Sequence, residues 1–137
     1  MNRIFAILVM SAMFLVGCTK STESFQGVIL EVKGSSMIVD CSAEVNKGKQ
    51  GPIDSIGYGC SIEDISSKAL QDVNGKSLTI NDFLPGAEVK VILSKPFNIR
   101  RNVESNNPKS LTAKKIVLEK QPDVSSIGRL NFFQLFK

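Results

Sequence analysis

The chain has 137 residues, 42% of them apolar, and 17 Lys and Arg against 13 Asp and Glu give a formal net charge of +4. That is the length of one ordinary domain, with too much apolar surface for a disordered chain. Histidine is absent, which excludes imidazole bases and imidazole metal ligands, and three cysteines are too few for a zinc-finger cluster.

The chain opens on an address. Arg3 precedes a run over residues 4–16 that is apolar except for Ser11. A short basic segment followed by an apolar stretch of about 7–15 residues describes an export signal. The run ends in Leu15-Val16-Gly17-Cys18, which resembles the lipobox of bacterial lipoproteins. That resemblance implies cleavage before Cys18, a diacylglyceryl thioether on its sulfur and acylation of the new amino terminus. Two acyl chains hold a protein stably on a membrane, whereas one does not. The expected location is the extracytoplasmic face of the cell membrane, with membrane lipid as the first partner, through Cys18. An ordinary signal peptide or an uncleaved anchor helix is the alternative. Residues 18–24 are polar and read as a tether. Removing residues 1–17 takes away only Arg3 among the charged side chains and leaves a net charge of +3. That is too weak to argue for a nucleic-acid partner, and none is expected.

After Cys18, alanine occurs four times, and valine and isoleucine together 21 times. β-Branched side chains suit pleated strands. Residues 25–32 read as a strand with Val28, Leu30 and Val32 on one face and Gly27 at a bend. Residues 33–36 form a turn, and residues 37–41 return with Met37, Val39 and Cys41 on one face. Residues 42–57 read as a loop. A third strand is expected over 58–65, followed by a short helical or irregular piece. A competing helix would carry Ile62, Ile65, Ala69 and Val73 on one face and end at Asn74-Gly75. Residues 78–84 connect, anchored by Leu78, Ile80, Phe83 and Leu84, into a type II turn at Pro85-Gly86. In residues 87–93, Ala87, Val89, Val91 and Leu93 alternate with polar positions, the clearest half-buried strand of the chain. Residues 94–110 form a long polar loop. In the last strand, 111–119, Leu111 and Ala113 share one parity and Ile116 and Leu118 the other, so a β-bulge is predicted at Lys114-Lys115. The chain is therefore all-β with a short helix. Five strands over residues 25–120 with a connector after the third fit an OB-like Greek-key barrel. A five-stranded open sheet or small sandwich is the alternative.

The stretch from Asp72 through Asn74-Gly75-Lys76 and Leu84-Pro85-Gly86 to Val89-Lys90-Val91 is similar to small Gram-positive lipoproteins of the Bacillus YobA-like kind. The lipobox, the opening strand at 25–32 and the closing Thr112-Ala113-Lys114-Lys115-Ile116-Val117-Leu118 fit the same pattern, so that the resemblance covers about residues 18–120. It implies a surface location and a barrel-like domain, and it carries no activity. The Cys41/Cys60 pair, the Gly-rich second loop and the C-terminal tail depart from the pattern.

Outside the cytoplasm disulfides persist. If strands 37–41 and 58–65 are antiparallel neighbours, Cys41 and Cys60 meet across the ladder; two free thiols or a redox pair are the alternatives. Candidate ligand-binding residues are Lys95, Phe97, Arg100 and Arg101 in the 94–110 loop, close in sequence to Lys109, Lys114 and Lys115. Basic groups around an aromatic ring suit a polyanion or a stacked ring. The plainer reading is a solvated loop, since Glu104 lies there too. Tyr58, between Gly57 and Gly59, is a further candidate contact or else a partly buried strand residue. Carboxylates are scattered, and neither a calcium-loop pattern nor Gly-x-Ser-x-Gly occurs. No metal, cofactor or enzymatic activity is expected. Residues 121–137 form an apolar tail with Val124, Ile127, Leu130, Phe132, Phe133, Leu135 and Phe136, read as an element packed over the domain or as a docking segment. The expected function is a non-enzymatic binding module for an envelope component or partner protein. The alternative is a structural or regulatory interaction lipoprotein without a ligand pocket.

Overall fold

A computed structural model describes residues 21–49, 51 and 57–122. The signal 1–17, the lipidation site Cys18, the loop residues 52–56 and the tail from 123 onward lie outside the described residues.

The strands, in chain order, are β1 (Thr22–Lys33), β2 (Ser36–Asp40), β3 (Gly59–Ile62), β4 (Leu70–Asp72), β5 (Glu88–Phe97) and β6 (Ala113–Lys120). Two five-residue helices join them, α1 (Ser42–Asn46) after β2 and α2 (Ile99–Val103) after β5. All six strands form one sheet in the order β3-β2-β1-β5-β6-β4. Every ladder is antiparallel except β4–β6. The all-β expectation holds, but the expected five-stranded closed barrel is replaced by a six-stranded open sheet. Its edges, β3 and β4, do not pair with each other. One isolated parallel bridge ties Ile62, at the end of β3, to Leu111, just ahead of β6. There the Leu111 amide donates to Ser61 O at 2.8 Å and the Glu63 amide to Leu111 O at 3.1 Å.

The extra strand comes from the segment where helix and strand competed. Asp64 takes a positive φ of 53°, which stops β3 at Ile62 and rules out a helix running through it. A single 3-10 turn, Ser67–Ala69, then feeds Leu70 into the core beside Ile116. Val73, assigned to the buried face of the competing helix, stands in solvent. After β4 the chain reverses around Asp72, whose carboxylate accepts from the amides of Asn74 at 2.8 Å and Lys76 at 2.9 Å. The two expected loops also hold regular structure. Residues 42–46 wind into α1, and β5 runs on to Phe97 before α2.

The buried face of β1 is the opposite of the expected one. Phe25 and Ile29 point inward, while Val28 and Leu30 are exposed. Gly27 shares the inward parity, because there β1 passes so close to β2 that a Cβ would lie 2.0 Å from the Asp40 carbonyl oxygen. Between Ile29 and Glu31 the register advances two residues in β1 against one in β2. Leu30 is the extra residue of a bulge, and beyond it Val32 turns inward opposite buried Met37. The bulge predicted in the last strand is present: β6 advances from Lys115 to Ala113 while β5 advances from Ile92 to Leu93, so Lys114 is extra. β1 itself starts at Thr22, inside the expected tether, with the Thr22 hydroxyl donating to Glu44 at 2.6 Å.

The core gathers the inward residues of the central strands with Phe83 from the connector and Ile99 from α2. The Leu84–Ala87 turn closes as expected, with the Ala87 amide donating to Leu84 O at 3.0 Å and Gly86 at φ 90°. Cys41 and Cys60 form a disulfide with their Cα atoms 5.8 Å apart. β2 and β3 are antiparallel neighbours, as that pairing required.

Candidate functional site

The β5–β6 ladder ends at Leu93 and Ala113, and one further bond, Ser94 amide to Thr112 O at 3.0 Å, closes it. Beyond this rung the two chains part. Pro96 has no amide to donate, so the ladder cannot continue through it. β5 swings instead toward the start of β1, where Phe97 pairs with Thr22. Between that pair and Ser24–Ile92, β5 spends five residues against two in β1, and the excess bows outward.

The divergence opens a groove of about 410 Å³. Leu93 and Leu111, both buried, form its floor, and half-buried Phe97 forms part of the wall. Lys95, Ser94, Ser110 and Thr112 line the remainder. Among the described residues Lys95 has no carboxylate within salt-bridge distance. An apolar floor with one exposed ammonium and three hydroxyls suits a ligand that carries an anionic group on a less polar body.

The groove brings together two of the sequence candidates, Lys95 and Phe97. Arg100 has a different role. Its Nε donates to Val45 O at 2.7 Å and its guanidinium also donates to Lys47 O. These are carbonyls at the end of α1, so Arg100 clamps α2 onto α1. Arg101 is exposed on α2, and its amide is capped by Asn98 Oδ1 at 3.0 Å. Tyr58 does not line the groove. It is half-buried against the core, with Lys49 Nζ 6.0 Å from the ring centroid and Lys49 paired to Glu104 at 3.2 Å. The Tyr58 amide donates to Ser42 Oγ at 2.8 Å, and Asp40 in turn accepts from that hydroxyl at 2.5 Å, which fixes the start of α1 beside the disulfide.

The residues that sequence reasoning missed are Leu93, Ser94, Ser110, Leu111 and Thr112. Leu93 and Leu111 were visible only as strand residues, and the three hydroxyls had no pattern to mark them. Among the described residues no helix is long and apolar enough to cross a membrane. None of their His, Cys, Asp and Glu side chains form a group of three or more placed to hold a metal ion. Comparison with protein-family models, curated proteins and solved structures finds no match.

Proposed function

We propose that the chain is an exported lipoprotein, anchored through Cys18, whose non-enzymatic domain binds an anionic envelope component in the groove between β5 and β6. The observation that carries the anchoring is Leu15-Val16-Gly17-Cys18 at the end of an apolar run, a relationship the YobA-like resemblance shares. The disulfide is consistent with an oxidising compartment. An OB-like reading of the domain is supported by the strand order, with β1 between β2 and β5, and by the parallel Ile62–Leu111 bridge. In that reading the segment between β5 and β6 borders the usual binding face, and the groove lies there.

Two measurements test the proposal. Intact mass of the protein extracted from membranes should show loss of residues 1–17 and the added mass of a diacylglyceryl group, both abolished by Cys18→Ser. A mass that still includes residues 1–17 overturns the anchoring. Polyglycerol phosphate, as a soluble anionic envelope polymer, should be retained by the immobilised protein and lost about tenfold on Lys95→Glu. Equal retention by both overturns the groove as the site. Retention of one stoichiometric protein instead of the polymer favours the interaction-lipoprotein alternative.

A further inference from the structure

The sheet starts close to Cys18 in sequence. β1 begins at Thr22, four residue steps after that cysteine. Four steps span at most about 14 Å, whatever path they take. Thr22 belongs to the groove's end of the sheet, because its partner across the ladder is Phe97, part of the groove wall. The opposite end lies far from this point. Val28 and Glu88 pair six residues farther along β1, about 20 Å at the rise of a strand. The Asn74-Gly75 turn belongs to that opposite end, since it follows Asp72, whose partner Leu118 lies near the Lys120–Glu88 pair. Acylation of Cys18, on which this inference rests together with the groove reading, therefore keeps the β5–β6 groove beside the phosphate layer of the leaflet that carries the anchor.

The chemistry of this end matches that layer. Lys95 lines the groove, Arg101 is exposed on α2, and Lys109 is exposed next to Ser110 of the groove. Two hydrogen bonds fasten Lys109 to α2: its amide donates to Asn102 Oδ1 and its carbonyl accepts from Asn102 Nδ2, both at 2.9 Å. Among the described residues none of these three cations has a carboxylate within salt-bridge distance. Glu44 accepts from the Thr22 hydroxyl and Glu104 pairs with Lys49, while Glu23 is exposed beside Thr22. Anionic lipid attracts basic side chains held near its surface. The buried floor of Leu93 and Leu111 then chooses among phosphates. A polyol phosphate polymer has no apolar part to lay on it, whereas a phospholipid offers its glyceryl esters and the start of its acyl chains. One ammonium and three hydroxyls make a weak site for a free solute, but a short tether raises the local concentration of the headgroup to the order of millimolar.

We propose that the β5–β6 groove takes the glycerol phosphate headgroup of an anionic phospholipid in the leaflet that carries the anchor. The phosphate sits on Lys95 and the glyceryl body against Leu93, Leu111 and Phe97. The domain then rests on the membrane by this end, with the Asn74-Gly75 turn away from it.

Amide exchange of the lipidated protein in vesicles tests it, with phosphatidylcholine alone compared against an equal mixture with phosphatidylglycerol. The anchor holds the chain in both, so a difference between them reports the headgroup and not attachment. The amides of Ser94, Lys95 and Thr112 should exchange about tenfold more slowly in the mixed vesicles, as for a site largely filled, and those of Asn74 and Gly75 equally in both. Lys95→Glu, at an exposed position, should abolish the difference and leave Tm unchanged. Equal exchange of the wild type in the two vesicles overturns the proposal. So does slowing at Asn74 and Gly75 in place of the groove, which puts the other end on the membrane. Slowing by soluble polyglycerol phosphate but not by phosphatidylglycerol also overturns it, while the groove reading stands. The anchoring reading fails separately, by an intact mass that keeps residues 1–17.

Discussion

Replacing Gly27 by alanine probes the closest approach made by any glycine among the described residues. Gly27 pairs with Val89 of β5 on one side, while on the other its missing side chain would point into β2. A Cβ there would stand 2.0 Å from Asp40 O and 2.8 Å from Val39 Cγ1. A carbon and a carbonyl oxygen come no closer than about 3.3 Å in ordinary weak contacts, so β2 has to retreat by more than ~1 Å. Asp40 resists that movement. It pairs with Gly59 in the ladder, its carboxylate accepts from the Ser42 amide at 2.9 Å, and the next residue is tied into the disulfide. Overpacking where side chains can adapt costs about 1–3 kcal/mol. Here the obstacle is backbone, so the cost falls at or above the top of that range, offset by only about 0.4–1 kcal/mol from a stiffer unfolded chain. Gly27→Ala should therefore lose about 3 kcal/mol, moving the urea midpoint down by about 1–3 M. Gly59→Ala is the control. Its Cβ would meet the Ile38 methyl at 2.8 Å, a side chain that can rotate away, and the loss should be nearer 1 kcal/mol. The reasoning fails if Gly27→Ala unfolds within about 1 kcal/mol of the wild type, or if Gly59→Ala proves the more damaging of the two.

Removing the disulfide as C41A/C60A should lower stability by about 3 kcal/mol, the loop-closure entropy of a cross-link between residues 19 apart; equal midpoints for the oxidised wild type and the double variant would contradict this. Arg100→Ala should lose about 1–2 kcal/mol, a partly solvated version of what charged hydrogen bonds contribute. It should also speed exchange in α1 without touching β1. Arg100→Lys should not restore it, since a single ammonium cannot serve the Val45 and Lys47 carbonyls as a planar fork does. Recovery of wild-type stability in the lysine variant would mean that charge, not geometry, joins the helices.

What was legible in the sequence was whatever repeats with period two over a long enough stretch. Ala87, Val89, Val91 and Leu93 alternate without interruption and are buried as read, and the slip of phase around Lys114 revealed its bulge. The same logic failed in β1 because Gly27 contributes no apolar signal to the inward face it occupies. Leu30, an apolar residue in a bulge, added a false one to the outward face. β4 is three residues long and α1 five, too short for any periodicity to show. At the site, Lys95 and Phe97 stood out by side-chain type. Arg100 stood out equally and was misassigned, because its partners are main-chain carbonyls more than fifty residues away, and nothing in a local pattern encodes a long-range carbonyl. The hydroxyls of the groove line it only because β5 and β6 part after Leu93.

The place of β1 in the middle of the sheet has a temporal consequence. Its first neighbour, β2, follows within a few residues, but its second, β5, begins sixty residues after the nearest paired position, Val28 with Glu88. A chain delivered outside the cytoplasm from its amino terminus leaves one edge of β1 unpaired until β5 follows it. In the folded chain β1, β2 and β3 make a three-stranded meander, local in sequence, that the Cys41–Cys60 bond secures without any contribution from β5. The cross-link thus joins the end of β2 to β3, both of which precede β5 in the chain, so that a defined half-sheet can be held before its closing partner arrives.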